Sequence, residues 1–155
     1  MIGNPRTLTV GVYVNTMDHR KVDTIFMEIE KTEDPQKLQE FFGQLYKDLS
    51  VHAEAEEQIV YPAVRSYYTD TQELYNEQAE MKQMLAKIKA LNPSSSDFKA
   101  QIQQLKAAVQ AHVKEEENDM FPQIRRNFSE AQMEQMATQF KAAKSTIQQE
   151  MAKMS

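Results

Sequence analysis

Apolar residues return every three to four positions along most of this chain, and the pattern breaks where proline, asparagine and serine gather. Val22, Ile25, Phe26 and Ile29 lie on one side of a cylinder together with His19, which predicts a first helix over about residues 15–31. Asp34-Pro35 reads as an N-cap followed by proline at the first helical position. It opens a second helix striped by Leu38, Phe42, Leu45, Leu49, His52, Glu56 and Ile59, which Pro62 should kink or end. A third helix follows Asp70 and runs to about Leu91, with Leu74, Met81, Met84, Leu85 and Ile88 inward. After the Asn92-Pro93-Ser94-Ser95-Ser96 loop, a fourth starts near Asp97 and carries Ile102, Leu105, Val109, His112, Glu116 and Met120. Ser129 with Gln132 makes a capping box for a fifth helix, over about residues 130–153. Residues 1–14 read as an irregular arm, punctuated by Asn4-Pro5 and Gly11. The prediction is an all-α, up-down-up-down four-helix bundle over about residues 15–127, in a single domain spanning 1–155. The fifth helix either covers its own core or forms a homodimer seam, leaving monomer and dimer both open.

Composition narrows the chemistry. The chain has no cysteine, which removes disulfides, thiolate catalysis and iron–sulfur clusters, so any metal must be held by N and O ligands. The net charge is -5, with no basic stripe, so a nucleic-acid partner is not expected. No apolar run approaches the ~20 residues needed to span a bilayer, and no cleavage pattern follows Leu8–Val14. No membrane partner and a cytoplasmic location are the corresponding expectations.

One motif occurs twice, sixty residues apart. His52 to Pro62 reads HAEAEEQIVYP, and His112 to Pro122 reads HVKEEENDMFP. Each copy sets a glutamate four residues after a histidine, on one helical face. The repeat has a second layer: His19 precedes His52 by thirty-three residues, and Gln78 precedes His112 by thirty-four. Helices one and two thus match helices three and four as tandem halves. In an antiparallel bundle His19, His52, Glu56, Gln78, His112 and Glu116 would project inward from four helices. Buried ionised carboxylates need compensation, and imidazole with carboxylate suits iron or manganese, with zinc also able to use these ligands.

The chain resembles the hemerythrin-like, HHE cation-binding domains of bacteria. The resemblance rests on DHRKVDTIF around His19, HAEAEEQIVYPAV around His52 and HVKEEENDMFP around His112. It implies a left-twisted bundle around two non-haem iron ions, with His19, His52 and His112 as terminal ligands and Glu56 and Glu116 as bridges. The family has a histidine where this chain has Gln78, a weaker donor. Gln78 could bind weakly, Glu77 or Tyr75 could substitute, or water could leave one iron open. An open position favours binding, sensing or scavenging O2, NO or peroxide, with turnover undecided. Iron storage or buffering, and a metal-poor bundle acting through protein contacts, are the alternatives.

The neighbouring residues have plainer readings. Glu57 and Glu117 are rotated ~100° from the ligand positions and read as solvated or supporting groups. Asp23 reads as a supporting or ion-paired group. The ten methionines look like core packing, and two glutamates argue against a Met–His haem. Tyr61 and Phe121 read as packing residues beside the prolines.

Overall fold

The computed structural model describes the backbone of residues 10–154, and side-chain surroundings from Asp18 onward. It is all-α. Helices α1 (Val10–Lys31), α2 (Pro35–Ala55), α4 (Thr71–Lys89) and α5 (Ser96–Glu115) form the bundle. Two short helices, α3 (Tyr61–Val64) and α6 (Phe121–Asn127), extend α2 and α5, and α7 (Glu130–Met154) packs against α1 and α2. No helix among the described residues is long and apolar enough to cross a membrane.

The start signals operate as their chemistry requires. Asp34 Oδ accepts from the Gln36 amide at 3.2 Å, with Pro35 in the first turn. Ser95 Oγ accepts from the Phe98 amide at 3.3 Å. Ser129 and Gln132 exchange side-chain-to-backbone bonds of 3.1 and 2.8 Å, a complete capping box. One boundary differs from expectation. Of the arm read over residues 1–14, residues 1–9 lie outside the described residues, and from Val10 the backbone is already helical. Alternating valines suggest an extended segment, but adding a residue to a formed helix costs far less than nucleating one.

Pro62 and Pro122 do not end their helices abruptly. Each follows a wide π-helical turn, Glu56–Val60 and Glu116–Met120. Proline lacks an N–H and clashes with the carbonyl four residues back, and widening the turn relieves both demands. In each turn the amide at plus five, Tyr61 or Phe121, donates to the glutamate carbonyl.

The interior has two apolar regions. One joins Phe26, Ile29, Phe42, Leu45, Ile88, Phe98 and Leu105 toward the α1–α2 and α4–α5 connections. The other joins Val60, Val64, Leu74, Met120, Ile124 and Phe140. Polar residues sit between them: His19, His52, Glu56, Gln78, His112 and Glu116 are all buried. The apolar side of α7, with Met133, Met136, Ala137, Phe140 and Ile147, is buried within this same chain.

Candidate metal centre

Each of the four bundle helices delivers part of the site. α1 brings His19, α2 brings His52, α4 brings Gln78 and α5 brings His112, while Glu56 and Glu116 open the two π turns. A donor atom from each of His19, His52, Glu56 and Glu116 falls within 4.8 Å of the others. His19 Nε2 and Glu116 Oε1 are 3.2 Å apart, as are His52 Nε2 and Glu56 Oε1. All four of these residues carry a buried side-chain atom with no hydrogen-bond partner: both Nε2 atoms, Glu56 Oε2 and Glu116 Oε1. Buried polar atoms left unpaired cost free energy. Convergent imidazole nitrogens and carboxylate oxygens of this kind fit a divalent cation of the iron, manganese or zinc type.

The outer nitrogen of every histidine is held by a carboxylate. His52 Nδ1 lies 2.9 Å from Asp18 Oδ2, His112 Nδ1 lies 2.8 Å from Glu77 Oε1, and His19 Nδ1 lies 3.1 Å from Glu117 Oε2. An Nδ1–H donating outward turns Nε2 to the interior, as the nitrogen a metal would take once any proton on it is displaced. The tandem repeat therefore reaches the supporting groups: Asp18 and Glu77, each one residue before a repeat-matched inner position, cross to the histidine of the next helix. Glu117 is a supporting group, as one of the two sequence readings had it. Asp23 is not; it is exposed and has no hydrogen bond or ion pair among the described residues.

The Gln78 corner is built differently from its counterpart. Gln78 Nε2 donates to Tyr61 Oη at 2.6 Å and to Glu56 Oε1 at 2.9 Å. Tyr61 Oη in turn donates to Glu116 Oε2 at 2.6 Å, and lies 3.0 Å from His112 Nε2. Glu77 and Tyr75, expected as substitutes at this corner, do not fill it: Glu77 supports His112, and Tyr75 packs edge-on against Tyr61. The packing reading of Tyr61 is also corrected. It missed a residue at the centre of the polar network, because the π turn brings Tyr61 back over Glu56. Phe121, the matching residue, does pack, stacked on His19 with centroids 6.3 Å apart. The available signal was the asymmetry itself: the half with glutamine has tyrosine, and the half with histidine has phenylalanine.

Electrostatics follow from this burial. Burial disfavours charge on His52, but Glu56 and the Asp18 hydrogen bond outweigh it and carry the imidazole up to about 10. The same contest, with Glu116 as the main opponent of burial, lifts His112 to about 9. Burial and the neighbouring Glu116 raise Glu56 to about 7, while Glu116 is held low against burial by His112 and His19. Asp18 is half-buried, and against that desolvation His52 and Lys144 pull it down to about 2.

The six inner polar residues themselves line a cavity of about 50 Å³, together with Val22, Leu49, Met81, Leu85 and Val109. It is room for one or two water-sized molecules.

The sequence matches the Hemerythrin HHE cation binding domain over residues 10–124. The chain belongs to this family. The family is a cation-binding one, and the buried cluster of His19, His52, Glu56 and Glu116 is the candidate site for a metal ion in this chain. A DNA nickase of Nostoc sp. is 57% identical over 135 residues, covering 86% of this chain and 38% of that protein. An uncharacterized hemerythrin-like protein of Schizosaccharomyces pombe is 26% identical, covering 84% of this chain and 66% of its own length. This chain thus spans 38% and 66% of these two relatives. The crystal structure of a hemerythrin HHE cation binding domain-containing protein from Mycobacterium kansasii superimposes with a TM-score of 0.79 at 17% identity, covering 96% of this chain and 90% of that one. It shares the fold.

The Nostoc relative overturns one expectation. Net charge and the lack of a basic stripe argued against a nucleic-acid partner, yet a protein 57% identical over most of this chain carries the name DNA nickase. Net charge measures long-range attraction averaged over a surface, and it does not exclude local contacts.

Proposed function

We propose that this hemerythrin-like bundle is a non-haem iron protein that handles a small oxidant such as O2, NO or peroxide. The observation that carries the reading is the set of inward, unpartnered donor atoms of His19, His52, Glu56 and Glu116, residues that line a cavity of about 50 Å³. These four residues would hold one iron. His112 and Gln78, sharing Glu56 and Glu116, would hold a second more weakly, because the buried, unpartnered amide oxygen of Gln78 is a poorer donor than an imidazole. Bound iron would supply an open coordination position and redox chemistry.

The protein's own share is selection and proton placement. The cavity's small volume admits small molecules and excludes bulky ones. Tyr61 is kept in its protonated form, far above its ordinary range, by burial and by Glu116 and Glu56. Its hydroxyl can therefore donate a hydrogen bond into the centre at neutral pH.

A second reading is favoured by the Nostoc relative: DNA is a target of the same centre, with the cation serving strand scission. The two readings meet in one experiment. Wild type and Gln78→His are loaded with iron, their metal content and near-ultraviolet spectrum are measured, and both are incubated with peroxide and with supercoiled plasmid. The iron reading expects at least one ion per wild-type chain and more in Gln78→His, where Glu57 stands in the position from which Glu117 supports His19. Metal content near zero in iron-rich medium would overturn it. Peroxide consumption without plasmid relaxation would leave the oxidant role and remove the DNA role. Metal-dependent conversion of plasmid to open circles, lost in Glu56→Gln, would establish the DNA role.

A further inference from the structure

The two halves of the centre differ in a place the repeat does not predict. Asp18 and Glu77 are counterparts, each holding the Nδ1 of a histidine. Asp18 faces a cation: Lys144 Nζ reaches both of its oxygens, at 2.8 and 2.6 Å. Glu77 has no such cation: among the described residues its ion pair is with His112 alone. Lys144 comes from α7, the helix outside the tandem repeat. The same helix brings Phe140, one turn earlier, edge-on to the His52 ring at a centroid distance of 5.5 Å. Lys144 also sits 5.6 Å over the Phe140 ring. The α7 pair thus touches His52 on its ring and, through Asp18, on its outer nitrogen.

We infer that Lys144 is a positioning residue that tunes His52 through Asp18, making the His52 side of the centre the less electron-rich of the two. A carboxylate hydrogen-bonded to a ligand imidazole increases its basicity. A lysine that shares the charge of that carboxylate moderates the effect, and Glu77, which has no such lysine among the described residues, exerts it undiminished. The C-terminal helix is then a working part of the centre as well as a cover for the core. Displacing α7 would alter the environment of His52 first.

The inference rests on the metal-centre reading for its consequence but can be tested apart from it. In the metal-free protein, the His52 Nδ1 proton is followed by NMR in wild type, Lys144→Met and Lys144→Arg, with circular dichroism to verify the fold. Removing the cation strengthens the Asp18 hydrogen bond, so this resonance moves downfield in Lys144→Met and returns toward wild type in Lys144→Arg. In the iron-loaded protein, the midpoint potential falls in Lys144→Met and is restored in Lys144→Arg. An unmoved His52 resonance in a folded Lys144→Met protein overturns the inference, whatever the metal content. An unchanged potential with normal iron content also overturns it. Failure of wild type to take up iron would instead remove the metal-centre reading, and the NMR result would still decide the role of Lys144.

Discussion

At the scale of single residues, Tyr61 joins the two inner glutamates, Glu56 and Glu116, to Gln78 and His112. Its hydroxyl accepts from Gln78 and donates to Glu116, and among the described residues no other hydroxyl reaches this corner. Tyr61→Phe keeps the ring but leaves Gln78 Nε2 with fewer partners and Glu116 Oε2 without its donor. We expect it to destabilise the metal-free protein by about 1–3 kcal/mol in urea unfolding, the range for orphaning a buried polar group. Phe121→Tyr, by contrast, would bring a hydroxyl toward a side that already has a histidine. Most of the site's residues were legible in the sequence. The six inner positions followed from i, i+4 spacing and the tandem repeat, and burial of all six agrees with that reading. Tyr61 escaped because α-helical spacing turns it away from Glu56. The supporting carboxylates Asp18 and Glu77 escaped because their partners lie on another helix, and periodicity within one helix carries no information about reach across a bundle.

At the scale of elements, the π turns deserve separate weight. Each holds one residue more per turn than an α-helix would, and each stands between a buried glutamate and a proline. Deleting the exposed Gln58 would return Glu56–Val60 toward α-helical winding. Tyr61 would then stand four residues after Glu56 and keep its place over it, while the Pro62 ring would press on a carbonyl. The expected outcome is a lower melting temperature with iron content retained, read by calorimetry and metal analysis. An unchanged melting temperature would mean that the wide turn is not what accommodates the proline. The helices themselves were well foreseen from caps and apolar stripes. The π turns were not, since the proline announces a disturbance and does not say which form it takes.

At the scale of the whole molecule, a polar layer lies between two apolar regions, and its charge state depends on what compensates it. Without metal, the folded protein holds protons on His52 and His112, whose ordinary value near 6.5 is raised to about 10 and about 9. The sign follows directly. Stability from these raised groups is fully present below pH 6.5 and fades as pH rises through 9 to 10. Metal needs the neutral imidazole, so at pH 7 a cation must displace those protons. Loading the metal-free protein in weak buffer at pH 7 should therefore acidify the solution. Apparent affinity should climb with pH until about 9 to 10 and then level off, as read by competition with a chromophoric chelator. Affinity independent of pH between 6 and 9 would show that these histidines are not displaced by the cation.

The internal repeat gives this protein something few metal sites possess, a built-in reference. For the inner residues and their supports on α1, α2, α4 and α5, a counterpart lies fifty-nine or sixty positions away in the same molecule and at the same concentration. Phe121 is the reference for Tyr61, His19 for Gln78, and Glu117 for Glu57. A spectrum that resolves the two halves thus compares a substituted residue with its unsubstituted twin in one sample, free of differences in expression, purity or folding yield.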